Sequence, residues 1–289
     1  LKLRGQSSAQ SGLSMFKRIK RVLSAARQAW VTPQPLVPVD FDCVTHAGLR
    51  DIHLSGWTQE TGELVKGFLI RPEDILLDIG CNNGGYAMFS ARQGAEIILA
   101  DVDAEQLEIA RARLEAIPAR RVQTLVTDAN PIPLPDASVT RVVAMEVLEH
   151  VEDPAQFMSE LVRVAKPGAL FLLTVPDEVA EGVQKHIAPP VYFEKPNHIR
   201  IFKRGELEQL ALEAGLVIEH RLQYGFYHAV WWSLLWACPN QSLSAPWHPM
   251  LESWARTWTS LLDQPSGMKV KLALDEVMPK SQVVIARKP

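Results

Sequence analysis

Carboxylates recur in this chain where apolar runs stop. Ile75-Leu76-Leu77 ends at Asp78, and Ile97-Ile98-Leu99-Ala100 ends at Asp101. Val122 to Thr127 ends at Asp128, and Val139 to Met145 runs into Glu146. Short apolar runs bounded by turn residues read as buried strands. Each acid then lies at the carboxyl edge of a sheet, where open α/β folds bind their ligands. Gly80 and Gly84 follow Asp78 closely, and a glycine lets the backbone approach a ligand where a Cβ would collide. A carboxylate at Asp101 can accept both hydroxyls of a ribose. An acid at Asp78 would repel a pyrophosphate and attract an ammonium group.

The ligand implied is nucleoside-like and cationic, and S-adenosylmethionine combines a ribose diol, an adenine amine and an ammonium group. Further segments fit the same picture. They are Asp78-Ile79-Gly80-Cys81-Asn82-Asn83-Gly84, then Asp128-Ala129, then Leu134-Pro135-Asp136-Ala137-Ser138. Val147-Leu148-Glu149-His150-Val151 and Leu161 to Gly168 continue the series. On these residues the chain resembles a class I S-adenosylmethionine-dependent methyltransferase of the small-molecule type. The resemblance is close from Ile75 to Val175 and looser from Asn197 to Leu222.

It implies a Rossmann-like α/β fold: a seven-stranded sheet, mostly parallel with an antiparallel last strand, and helices on both faces. It also implies cofactor contacts at Asp78, Gly80, Cys81, Asn82, Gly84, Asp101, Val102, Asp128, Ala129, Met145 and Glu146. In that scheme Asp101 takes the ribose, and Asp128 with the Ala129 N–H takes the adenine. Asp78 and the Met145-Glu146 loop take the methionine ammonium. The family usually has glycine where this chain has Asn82. Asn tolerates a left-handed backbone, so the turn can survive.

A hydroxyl acceptor calls for a proton acceptor near neutral pH, and His150 and His198 are the candidates. Tyr192, Tyr227 and His228 are weaker candidates for the acceptor pocket. The acidic run Glu146, Glu149, Glu152 and Asp153 reads mostly as a helix cap and solvated surface, and no metal is expected.

Composition bounds the remainder. The chain has 289 residues with 30 basic and 33 acidic side chains, so no general attraction to nucleic acid follows. Cys43, Cys81 and Cys238 are too scattered for a zinc site or a disulfide framework. No apolar run reaches the ~18 residues of a membrane span, and a cytoplasmic enzyme is expected. Residues 14–30 read as a basic amphipathic helix, which covers the cleft or makes a peripheral membrane contact.

Three regions are expected: the N-terminal helix and linker over 1–40, a core over 41–222 and 281–289, and an insert over 223–280. Between Gln59 and Phe68 the sequence predicts a short helix. The insert holds six of the eight tryptophans, at 231, 232, 236, 247, 254 and 258. It reads as a helical, aromatic-rich cap over the acceptor. The expected acceptor is a small molecule or glycan, with O-methylation of a sugar or glycolipid-like group first and a quinone or polyketide ring second. A nicotinamide oxidoreductase would want a third glycine and no Asp78. An inactive binding subunit would rest on Asn82 alone.

Overall fold

The computed structural model describes residues 42–117 and 119–289. The helix expected over 14–30, and with it the membrane contact, lies outside the described residues.

The first elements are α1 (Cys43–Leu54), β1 (Glu63–Val65), β2 (Phe68–Leu69), β3 (Ile75–Ile79) and α2 (Gly85–Arg92). β4 (Glu96–Asp101), α3 (Ala104–Glu115), β5 (Arg121–Val126), β6 (Val139–Met145), α4 (Pro154–Val164) and β7 (Ala165–Pro176) follow. Then come α5 (Glu178–Gln184), α6 (Glu206–Glu213) and β8 (Val217–Tyr224). α7 (Phe226–Trp236), α8 (Pro249–Leu262), α9 (Gly267–Val277) and β9 (Ser281–Arg287) complete the chain.

Seven strands form one sheet in the order β5-β4-β3-β6-β7-β9-β8. β9 pairs antiparallel with both β7 and β8, and the pairings within the β5-β4-β3-β6-β7 run are parallel. This is the expected seven-stranded arrangement. The order reverses direction at β3, so the crevice for a ligand opens beside its carboxyl end.

Alternate residues of the strands feed two cores. Leu77, Ile79, Val142 and Phe171 face α4 and α6, with Phe157, Leu161 and Leu207 packed against them. Leu76, Ile97, Leu99 and Val143 face the other way, onto Ala87, Phe89, Leu107 and Leu114 of α2 and α3. Burial of each such side chain stabilises the fold by about 1.5–3 kcal/mol relative to exposure.

The stretch from Gln59 to Phe68 is not a helix. It forms the antiparallel pair β1-β2, because Gly62 (φ +86°) and Gly67 (φ +95°) turn the chain left-handed. At φ +95° a side chain on Gly67 would be strained, and its Cβ would press on the His220 ring 2.5 Å away. Arg141 fixes this hairpin to the sheet, with its Nε donating to the Leu69 carbonyl (2.9 Å) and Nη1 3.0 Å from the buried Asp74.

The insert is a helical cap with a core of its own. Trp231, Trp232, Leu235, Trp247, Leu251 and Trp258 are buried, and Val44 and Ala47 of α1 pack with them. α1 therefore belongs to the cap by contact, although it precedes the sheet in sequence. A buried charge cluster joins the helices. The Lys271 ammonium lies 2.9 Å from Asp51 and donates to Asp275 (2.7 Å), while the Trp258 indole N–H donates to Asp51 (3.0 Å). One ammonium serves two carboxylates. Burial pushes the Asp51 carboxyl up to about 6, Lys271 opposes this, and Asp275 adds to it.

No helix among the described residues is long and apolar enough to cross a membrane.

The raised Asp51 value fixes the sign of a stability effect. Between pH 3.8, the ordinary value, and about 6, the folded state keeps a proton that the unfolded chain has lost. This contribution therefore falls as pH rises through that window, by about 3 kcal/mol, and is level above it. Urea denaturation from pH 4 to 7 should show wild-type stability dropping relative to Asp51→Asn. A difference that does not change with pH would rule out the shifted carboxyl.

Candidate active site

Four strand-end loops converge at the carboxyl edge. The first is the turn after β3. Gly80 takes φ +67°, and a Cβ there would lie 2.3 Å from Val147 Cγ2. Gly84 (φ +76°) starts α2 against α3, where a Cβ would approach Ala110 to 2.9 Å. Asn82 takes φ +49°, the left-handed conformation that its sequence position requires. Cys81 is buried, and its N–H and that of Gly80 both donate to the Ala100 carbonyl (3.2 and 2.8 Å). Asp78 is buried on β3 just below the turn.

Asp101 ends β4 and is half-buried. One of its oxygens accepts the Asn82 N–H (2.9 Å) and the other accepts the Asp103 N–H (3.0 Å). The carboxylate is thus aimed by two backbone groups from two loops, and each oxygen keeps a lone pair for a further donor. Val102 beside it is 69 % exposed, an apolar surface at the rim of the crevice.

Beyond β5, Asp128 is exposed and accepts the Asn130 N–H (3.0 Å). Ala129 is buried with φ +65°, and its N–H donates to the Thr127 hydroxyl oxygen (3.0 Å). The Ala129 N–H expected for adenine is therefore already engaged, because the turn closes on Thr127. Arg163 holds the loop that follows. It donates to the Ile132 and Leu134 carbonyls and to Glu160 and Asp136. Glu160 in turn accepts the Ile132 N–H (2.9 Å).

Met145 is buried at the end of β6, and Glu146 follows with φ +53°. The Glu146 carboxylate accepts the Thr174 hydroxyl (2.9 Å) and pairs with the buried Lys280 ammonium. Burial alone would raise its pKa, but Lys280 outweighs that and lowers it. Lys280, Thr174 and Tyr224 were not foreseen as site residues. Tyr224 and Pro176 both pair with Ser281 at the start of β9, so these groups share the carboxyl edge with the strand-end loops.

The two histidines meet each other. Their rings are 5.0 Å apart, edge to face. His150 is half-buried, and its Nδ1 donates to the Pro196 carbonyl (3.1 Å). His198 is buried, and its Nδ1 donates to Glu181 (2.8 Å). Burial would lower the His198 pKa, but Glu181 and then Glu149 outweigh it, so the pKa is raised. A buried imidazole held between carboxylates is poorly placed to serve as a free base. Glu149, expected on the surface with its acidic neighbours, is instead 1 % exposed and next to both rings. Glu152 does lie on the surface, and Asp153 caps α4 through the Gln156 N–H (3.0 Å).

Tyr192 is buried between His198 and Trp236, with ring separations of 4.4 and 5.3 Å, which makes it packing. Tyr227 and His228 do line a cavity. Val44, Gly48, Leu49, Ile52, Trp231 and Trp247 complete most of its wall, around a narrow space of about 30 Å³ that is partly open to solvent. Tyr227 donates its hydroxyl to the Val44 carbonyl (3.1 Å). Burial, and then Lys280 and Lys271, push the His228 pKa well down, so its ring is neutral.

Residues 77–173 match a family described as a methyltransferase domain. A Mycolicibacterium smegmatis protein named as a probable S-adenosylmethionine-dependent methyltransferase is 33% identical over 153 residues, 53% of this chain and 55% of that protein. A demethylmenaquinone methyltransferase of Symbiobacterium thermophilum is 31% identical over 120 residues, 40% of this chain and 48% of that one. The chain thus spans about half the length of the curated relatives it matches. Among solved structures, geranyl diphosphate C-methyltransferase from Streptomyces coelicolor superposes with a TM-score of 0.51 at 18% identity, covering 76% of this chain and 75% of that one. This last likeness bears on the fold alone. Strand order and the glycine turn agree with the family match, so residues 77–173 resemble a methyltransferase domain in sequence and in fold.

Proposed function

We propose that this protein transfers the methyl group of S-adenosylmethionine to an oxygen of a small acceptor with an apolar ring body. The observation that carries the cofactor half is Asp101, whose two oxygens are each oriented by a backbone N–H. The residues fit the cofactor: the Gly80 turn leaves a cradle that a Cβ would fill, and the exposed Val102 offers an apolar face for an adenine. Asp101 would hold the ribose hydroxyls and Asp128 the adenine amine. Asp78 and the carbonyls of Met145 and Glu146 would hold the ammonium. S-adenosylmethionine supplies the electrophilic methyl group. The protein's own part is to orient the acceptor and exclude water. The left-handed Asn82 keeps the turn, which removes the sequence support for an inactive subunit.

The acceptor half rests on the cavity beneath the cap. The α7 wall of the cavity continues from Gly225, which packs on Lys280, the partner of Glu146. The cavity wall is mostly Trp, Leu, Ile and Val, with Thr45, Tyr227 and the neutral His228 as polar groups. Small-molecule sites commonly have this composition. The insert's tryptophans pack largely on one another, as in the pairs 231–232, 231–247, 232–236 and 254–258. Few indole faces remain for stacking on a sugar. The quinone-like ring, second in the sequence reading, therefore has more support than the glycan.

Asp101→Asn should weaken S-adenosylmethionine binding by about 1.5–3 kcal/mol in calorimetry, the worth of a hydrogen bond to a charged group. Unchanged affinity would remove the ribose assignment. Gly48→Val tests the cavity, since a Cβ on Gly48 already lies 2.9 Å from His228 Nε2. It should raise the acceptor KM about tenfold or more and leave cofactor affinity nearly unchanged, while crowding of the buried His228 lowers the melting temperature somewhat. A screen with labelled cofactor across hydroquinones, polyketides, glycolipids and sugars identifies the acceptor for that measurement. Turnover confined to sugars, with Gly48→Val inert, would contradict the apolar-ring reading.

A further inference from the structure

Glu149, His150 and His198 each offer one ligand atom, and the three atoms lie within 4.8 Å of one another. They come from two distant segments. Glu149 and His150 follow β6, and His198 is brought against them where the Ile199 N–H donates to the Glu149 carbonyl (3.0 Å). We propose that Glu149, His150 and His198 form a binding site for a divalent transition-metal ion.

The orientation of the rings is the main support. A carbonyl can only accept, so His150 carries its proton on Nδ1 toward Pro196, and Nε2 is the nitrogen with the lone pair. That Nε2 faces Glu149 Oε1 at 3.7 Å. His198 likewise spends Nδ1 on the Glu181 carboxylate, leaving Nε2 for a ligand. Metal-bound histidines usually have the other ring nitrogen fixed by a carboxylate or a carbonyl, and here one ring has each. Glu181 and Glu149 are both 1 % exposed, so this pair of carboxylates is far more buried than a surface acidic run.

Two imidazoles and one carboxylate select a Mn, Fe, Co or Zn ion over calcium, and they leave coordination positions open. Metal–ligand bonds of ~2.0–2.2 Å need ligand atoms roughly 3–4 Å apart. The present spacing, within 4.8 Å, has to contract on binding, and His150, the partly exposed member, gives access from solvent. The histidines then act as ligands and not as the general bases that their sequence positions suggested. An acceptor oxygen could fill an open position beside the cofactor edge. That last role rests on the proposed methyl transfer, whereas metal binding does not.

The test uses the full chain stripped with chelator and titrated with Co2+, followed by visible absorption. One equivalent should give ligand-field bands. His150→Ala and Glu149→Gln should weaken binding at least tenfold, and Glu181→Gln about 10- to 100-fold through the ring it orients. Melting curves identify any variant that fails to fold, and His150, half-exposed, is the variant least exposed to that failure. No bands in wild type, or equal Co2+ affinity in folded His150→Ala and Glu149→Gln, would overturn the site. Calorimetry with S-adenosylmethionine on the same samples keeps the two claims apart. Loss of cofactor binding in wild type would strike the proposed reaction and leave the Co2+ result standing.

Discussion

Asp101 accepts the Asn82 N–H on one oxygen and the Asp103 N–H on the other, and so ties the glycine turn after β3 to the end of β4. The turn can make that bond only because Gly80 passes against Val147 with no room for a methyl group. Three of the non-glycine residues with positive φ, namely Asn82, Ala129 and Glu146, lie in strand-end loops of this edge. Such conformations cost of order 1–3 kcal/mol each and persist only where the surroundings fix them. Here the fixing groups can be named. They are Asp101 for Asn82, Thr127 for Ala129, and Thr174 for Glu146. A ligand site held this way is preorganised, so binding need not order the loops first.

The cap answers to the same edge. Lys280 precedes β9, pairs with Glu146 and packs on Gly225 at the start of α7. The Asp51–Lys271–Asp275 cluster then holds α1 and α9 together with α8 through Trp258. A buried cluster of this kind adds little net stability, because desolvation offsets attraction, but it specifies which helices meet. The aromatic cavity forms where α1 and α7 face each other across Gly48 and His228. Its shape is therefore set by the cap and its attachment, while the strand-end loops are set by the sheet.

Much of this was legible in the chain, and the reason is local. Each strand, its terminal acid and the glycine turn lie within a few residues, so pattern and chemistry coincide. The helix cap within the acidic run was legible for the same reason, and Asp153 does cap α4. The β1-β2 hairpin was misread as a helix because Leu64, Val65 and Phe68 mimic helical spacing. The glycines at 62 and 67 outweighed that pattern. Lys280 and Glu146 are 134 residues apart, and no local signal connects them. The same holds for His198 and Glu149. Their segments each looked like part of an acceptor site, but their meeting is tertiary. Arg163 was visible inside a family motif, yet its grip on the Ile132–Asp136 loop was not. Nor could the tryptophan count tell stacking faces from a self-packed core.

The central claim is that the strand-end acids select S-adenosylmethionine over other nucleoside cofactors. Calorimetric titration of the wild-type chain with S-adenosylmethionine and, separately, with NAD+ tests it most directly. Saturable binding of S-adenosylmethionine at one site, with no heat from NAD+ at the same concentrations, is the predicted result. Binding of NAD+ with no response to S-adenosylmethionine would contradict the account at its base, because the Asp78 carboxylate would then sit beside a pyrophosphate.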